Sequence, residues 1–243
     1  MTKPPFLTAR WTDLVLLNFV VPADLIAQVA PPGTEPDLHE GVAYISIVGF
    51  RFQDVRVLGL PIPRHTRFDE INLRYYVKRV VGNETRRGVV FVREIVPRLA
   101  VAMLANRLYH EQYVTRPMRS TITMQGPELA PGDTLEYAWR SRNRTWNRVG
   151  AEVAAPLAIP APGSADEFIV EHYWGYNHGR DGRTREYRVA HPTWRVAPAT
   201  NITWDCDLLA TYAPPFAEYL SGPPASALIA EGSAVQVYGG KCV

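Results

Sequence analysis

The chain has 243 residues, 47% of them hydrophobic and 21% charged, which is enough for a substantial core in one β-rich domain spanning 1–243. Its net charge of +2 is carried mostly by dispersed arginines rather than a basic run, which excludes the electrostatic footprint of a nucleic-acid-binding protein. Its two cysteines, Cys206 and Cys242, make neither a disulfide framework nor a zinc signature and read as free thiols of a reducing cytoplasm.

From the N-terminus, the run 14–21 is apolar but too short to cross a bilayer. Asp13 and Asp24 flank it and no basic n-region stands out, so neither a signal peptide nor membrane attachment is expected, and a soluble cytoplasmic protein is the reading. The Asn-x-Thr triplets at Asn83, Asn143 and Asn201 carry little weight without secretion. A helix is predicted over 22–30, opened by Pro22 where proline is tolerated and stopped by Pro31-Pro32-Gly33. Strands are predicted over 42–52, 68–81, 88–96, 115–125 and 134–142, from β-branched and aromatic residues between turn-like borders. Gly82-Asn83-Glu84 turns the second of these into the third, and Pro131-Gly132-Asp133 is a turn before the last. A helix over 97–109, with Leu99, Met103 and Leu104 as its apolar stripe, is expected to cover one end of the sheet. The Ala/Pro-rich stretch 154–165 reads as a loop within the domain. Beyond it, strands are predicted over 167–176, 184–190, 193–204 and 225–238, with a hairpin connection at Gly179-Arg180-Asp181-Gly182 and a short helix near 215–220. The pattern is that of an α+β, mainly antiparallel β domain.

The segment 68–81 is the most informative. Successive strand side chains point to opposite faces, so Ile71, Leu73, Tyr75 and Val77 form an apolar face, while Glu70, Asn72, Arg74 and Tyr76 share the other. An acid, an amide and a base on one face suit either water or a polar pocket inside a β-barrel. In a pocket, Arg74 would pair a ligand carboxylate, with Glu70 orienting it or moving a proton. The competing reading is a structural Glu70–Arg74 ion pair. Arg93 and Glu94 are adjacent, so in a regular strand only one of them can join Glu70. His172 and Trp174 share a face of the strand predicted over 167–176. A histidine there suits acid–base chemistry near neutral pH, or simply a hydrogen-bonded structural place. Trp174, Trp194 and Trp204 could line a pocket, but their ordinary place is in the core. His172, His178 and His191 follow no familiar zinc spacing, and no metal or other cofactor is expected. Glu231-Gly232-Ser233-Ala234-Val235 lacks the second glycine of a nucleophile elbow, and the other glycines have no dinucleotide-fingerprint spacing.

Several stretches resemble one family. Trp11-Thr12-Asp13-Leu14, Gly41-Val42-Ala43-Tyr44-Ile45-Ser46 and Phe68-Asp69-Glu70-Ile71-Asn72-Leu73-Arg74 are similar to the YqjF-like bacterial proteins of unknown function (domain of unknown function 2071). So are Glu171-His172-Tyr173-Trp174-Gly175-Tyr176, His191-Pro192-Thr193-Trp194 and Glu231-Gly232-Ser233-Ala234-Val235, in the same order along the chain. The resemblance implies a closed, mostly antiparallel β-barrel of acetoacetate decarboxylase-like type, with a few short covering helices and an interior cavity. In such enzymes a barrel lysine forms a Schiff base with a keto acid, and its amine must be neutral to attack. Here Arg93-Glu94-Ile95 resembles the stretch before that lysine, but Val96-Pro97-Arg98 follows and lysine occurs only at Lys3, Lys78 and Lys241. Arginine stays protonated and cannot replace the amine, so lysine-dependent decarboxylation is not expected to carry over.

Two readings follow. One is a barrel that binds a small organic acid or other small anionic metabolite without Schiff-base catalysis. The other is a non-Schiff-base lyase, hydratase or isomerase acting on a keto acid. Neither involves nucleic acid or a membrane, and self-association into a homo-oligomer is left open.

Overall fold

The computed structural model describes residues 4–63, 66–97, 113–179, 182–212 and 214–243. The helix predicted over 97–109 lies, from residue 98 onward, outside the described residues. In the first half of the chain the strands are β1 (Leu7–Val21), β2 (Glu35–Pro36), β3 (Ala43–Val57), β4 (Leu60–Pro61), β5 (Phe68–Val81), β6 (Glu84–Val96), β7 (Tyr113–Thr115) and β8 (Met118–Thr123). In the second half they are β9 (Thr134–Arg140), β10 (Trp146–Val153), β11 (Trp174–His178), β12 (Thr184–Ala190), β13 (Val196–Asp205), β14 (Ser226–Val237) and β15 (Lys241–Cys242). Among the described residues four short helices accompany them: α1 (Ala23–Val29), α2 (Ala165–Val170), α3 (Leu208–Thr211) and α4 (Phe216–Tyr219).

The strands pair mostly antiparallel in the order β15-β12-β11-β6-β5-β3-β1-β14-β13-β10-β9-β8. β6 pairs in parallel with both β11 and β7. β12 also meets β14, at Val189↔Val237 and Ala190↔Gln236. Among the described residues no helix is long and apolar enough to cross a membrane.

Two apolar cores lie on opposite faces of the long strands. Val15, Leu17, Ile45, Ile47, Ile71, Leu73 and Tyr75 pack on one side with Tyr137, Trp139, Val149 and the helices α1 and α4. Leu14, Leu16, Val48, Phe50, Phe52, Phe68 and Tyr76 pack on the other with α2 and Trp194. This accounts for the run 14–21. It is part of β1, and apart from the hydrogen-bonded Asn18 it is apolar because both faces of that strand are buried over most of the run. Such a run lacks the alternation by which a half-buried strand is recognised, and no strand was predicted there.

The second discrepancy lies at 167–176. Residues up to Val170 form α2, and only Trp174–His178 is strand. Ser164 caps the helix by accepting from the Glu167 N–H at 3.2 Å, and the Glu167 carboxylate accepts from the Gly163 N–H at 2.6 Å. This reciprocal capping explains why a β-rich composition still turns helical.

β1 breaks its register between Thr12 and Val15, where Asp13 takes a positive φ of 59° and its carbonyl accepts from the Tyr137 hydroxyl at 2.6 Å. Gly232 sits opposite Thr12 with φ +74°, and a Cβ there would lie 2.0 Å from the Trp11 carbonyl oxygen. Glycine therefore permits the close β14–β1 approach that sets Trp11. Gly232→Ala is expected to destabilise the protein by roughly 2–4 kcal/mol through backbone strain and displacement of Trp11. Urea unfolding of the variant measures this directly.

Candidate functional site

Glu70, Asn72 and Arg74 share neither water nor a common ion pair. They line a cavity of about 140 Å3, together with Val48, Phe50, Phe52 and Phe68 of the same core. The polar face of β5 is thus turned inward. Glu70 is only 2% exposed. Its carboxylate accepts from the Asn72 amide and from the Tyr113 hydroxyl, each at 3.0 Å. These bonds meet the requirement that a buried acid be hydrogen-bonded.

Glu94, also 2% exposed, lies opposite Asn72 and lines the same cavity, whereas Arg93 does not. The cause is a bulge. Leu73 pairs with Arg93 and Arg74 with Phe91, leaving Val92 as an extra residue. Strict alternation from Val89 and Phe91, both in the cavity, would have carried Arg93 inward. The extra residue shifts the phase by one and brings Glu94 in instead. Arg93 is thereby removed from the predicted site and faces a separate cleft with Arg116.

Arg74 is held without a carboxylate. One guanidinium nitrogen donates to the Ile169 carbonyl at the end of α2 at 3.0 Å, and Nε reaches the Tyr76 hydroxyl at 3.4 Å. The guanidinium carbon stands 5.4 Å from the Tyr76 ring centre. Among the described residues no acid forms an ion pair with it, so the Glu70–Arg74 ion pair does not form.

His172 and Trp174 both line the cavity, though not as neighbours on one strand face: His172 precedes β11, in the connection that follows α2. The imidazole packs 4.8 Å from the Tyr76 ring and 5.1 Å from the Phe168 ring. Its Nε2 lies 3.1 Å from Asp37, which also receives the Arg87 guanidinium at 2.6 Å. Burial opposes ionisation of Asp37, but the hydrogen bonds from His172 and Arg87 prevail and hold its pKa below the ordinary carboxylate value. An ionised Asp37 can only accept, which assigns the proton to Nε2. Burial pushes the His172 pKa down to about 4, against the opposing bond to Asp37. The ring is therefore neutral at pH 7, and its Nδ1 is buried with no partner among the described residues.

His191, Tyr113 and Trp11 also line the cavity, and none was among the candidates drawn from the sequence. His191 stacks on Trp194 at 4.3 Å and lies 2.9 Å from the Pro192 carbonyl through Nδ1. Burial lowers its pKa, against the bond to that carbonyl. Trp11 meets Phe50, Phe52 and Trp194 edge-on, and its indole N–H is buried with no acceptor among the described residues. Residue by residue the sequence held no signal for them; only the stretches Trp11-Thr12-Asp13-Leu14 and His191-Pro192-Thr193-Trp194 were picked out, as part of the resemblance. The cavity is accordingly two-sided, with an aromatic wall facing a rim of acid, amide, guanidinium and imidazole.

The fold is that of the acetoacetate decarboxylase-like enzymes. The acetoacetate decarboxylase-like enzyme from Sphingomonas wittichii RW1 matches with a TM-score of 0.65 at 11% identity, over 99% of this chain and 94% of that one. The enduracididine biosynthesis enzyme MppR matches with a TM-score of 0.67 at 13% identity, over 100% of this chain and 89% of that one. Residues 8–234 match the family described as an uncharacterized conserved protein, DUF2071, and the chain belongs to that family. The uncharacterized protein YqjF of Bacillus subtilis (strain 168) is 26% identical over 165 residues, which is 68% of this chain. The match spans 62% of that relative's length, under two thirds of it.

The histidine supplies a pH dependence. His172 takes up its proton near pH 4 when folded and near 6.5 when unfolded, so between these values the unfolded chain binds more protons. Its contribution is fully present above 6.5 and is lost as the pH falls toward 4, up to roughly 3 kcal/mol. Urea unfolding at about pH 7 and about pH 4.5 should show this loss in the wild type and a flatter dependence in His172→Gln.

Proposed function

We propose that this chain binds a small organic acid with an apolar body in a β-barrel cavity, without Schiff-base chemistry. The β12–β14 pairing supports reading the strand path from β12 through β6, β5 and β1 to β14 as a closed barrel. The observation that carries the ligand class is Arg74, a guanidinium on the cavity wall that has no acid partner among the described residues. Its planar fork matches a carboxylate. The buried Trp11 N–H offers a second donor, and the aromatic wall takes the rest of the molecule. MppR, a neighbour in fold, has been observed with pyruvate, a small carboxylate.

The lysines argue against an imine. Lys78 pairs with Glu35 at 3.5 Å and Lys241 with Glu186 at 3.6 Å, neither lines the cavity, and Lys3 lies outside the described residues. Borohydride treatment with acetoacetate or pyruvate, followed by intact-mass measurement, should give no stoichiometric adduct. A specific reduced adduct on Lys78 would restore amine catalysis.

Arg74 is tested by calorimetry with a panel of aromatic and short-chain monocarboxylates and their neutral amides. The acids should bind and the amides should not. Arg74→Leu should weaken the best acid by roughly tenfold to over a hundredfold, the effect of losing a charge-assisted contact of about 1.5–3 kcal/mol. Equal binding by folded wild type and variant removes Arg74 from the site.

A further inference from the structure

The bulge that excludes Arg93 from the cavity delivers it to a second place. Arg93 and Arg116 line a small cleft with Ile95, Trp139, Ser141 and Thr211, between the end of β6 and α3. Arg142 follows Ser141 in the chain and acts on Arg116 as a like charge. None of the three guanidiniums forms an ion pair with an acid among the described residues. Arg116 donates to the Thr115 carbonyl at 2.8 Å, which leaves most of its five donors unused. Burial lowers the Arg116 pKa, and the positive charges of Arg142 and Arg93 lower it further.

A cluster of like charges in a partly desolvated cleft is unfavourable unless an anion neutralises it. A second observation points the same way. The indole N–H of Trp139, a residue 1% exposed, is buried without an acceptor among the described residues. That N–H can donate, and buried donors normally have acceptors. The floor of the cleft holds about 10 Å3, the size of a single oxygen-bearing group rather than a whole metabolite.

We propose that this cleft is a phosphate-type oxyanion site, in which one oxygen sits against Trp139, the Arg93 and Arg116 guanidiniums grip the others, and the exposed Arg142 adds positive charge nearby. Phosphate suits it better than carboxylate because a tetrahedral dianion can meet several guanidinium forks at once. The site is independent of the aromatic cavity, since the bulge sends Arg93 and Glu94 to opposite faces of β6.

Two probes separate the sources of such a group: inorganic phosphate, and phenyl phosphate as an ester. Each is titrated by calorimetry and by thermal melting at constant ionic strength set with chloride. Near saturation, phosphate should raise the wild-type melting temperature by about 2–4 °C. The double variant Arg93→Gln, Arg116→Gln should bind it at least about tenfold more weakly. Tighter binding of the free ion, or of the ester, assigns the site to that source and upholds it either way. Without phosphate, Arg116→Gln should melt no lower than the wild type, because it removes repulsion. The proposal is overturned if neither probe acts beyond chloride, if the double variant responds like the wild type, or if Arg116→Gln melts well below it.

Discussion

The arrangement turns on one constraint: β5 is buried on both faces, yet it carries an acid, an amide and a guanidinium on one of them. Ile71, Leu73 and Tyr75 seal the first face into a continuous core. The second face has no bulk water to satisfy it, and burying a carboxylate costs several kcal/mol unless it is hydrogen-bonded. Asn72 is two residues along the same face and supplies one bond to Glu70, while Tyr113 on β7 supplies the other. Arg74 avoids Glu70 and is held by the buried Ile169 carbonyl at the C-terminal end of α2. Acid and base on one strand face are thus held by separate partners, which leaves the guanidinium's charge uncompensated by any acid among the described residues.

The same separation runs through β6. One extra residue at Val92 decides that an acid, Glu94, faces the cavity and a base, Arg93, faces away. A bulge shifts the phase of every residue beyond it. Pairing Val92 into a regular ladder would exchange the two charges across the sheet: Arg93 would sit opposite Asn72, and Glu94 opposite Ile71 on the other face. The bulge therefore sets the electrostatic character of both faces with no change in composition.

Much of this was legible in the sequence where strands have one clear period. The spans 68–81 and 184–190 coincide with β5 and β12, and the alternation of Glu70, Asn72 and Arg74 placed them on one face. The failures have physical causes. β1 lacks alternation because both its faces are buried. α2 hides in a β-rich stretch behind a Ser164–Glu167 cap whose spacing is visible but whose following residues, Phe168-Ile169-Val170, favour strands. The choice between Arg93 and Glu94 stayed open because a bulge is a tertiary event with no fixed signature at Val92. His191 and Tyr113 reach the cavity from a loop and a three-residue strand, where periodicity carries no information.

Sharing the acetoacetate decarboxylase-like fold does not fix the chemistry, because the sheet only decides where side chains point. An amine nucleophile works by losing its proton when desolvated, which makes it reactive. A guanidinium in a comparable interior keeps its charge and its fork of donors, so it recognises anions but cannot form a bond to a carbonyl. In this chain the cation on the cavity wall is Arg74, and the imidazoles beside it are driven toward neutrality by burial, with the Arg74 charge acting in the same direction. A fixed positive charge beside two groups that avoid becoming positive concentrates the site's attraction for an anion at one point. That point faces an aromatic wall, so for the acid proposed above charge would select one end of the ligand and apolar surface the other.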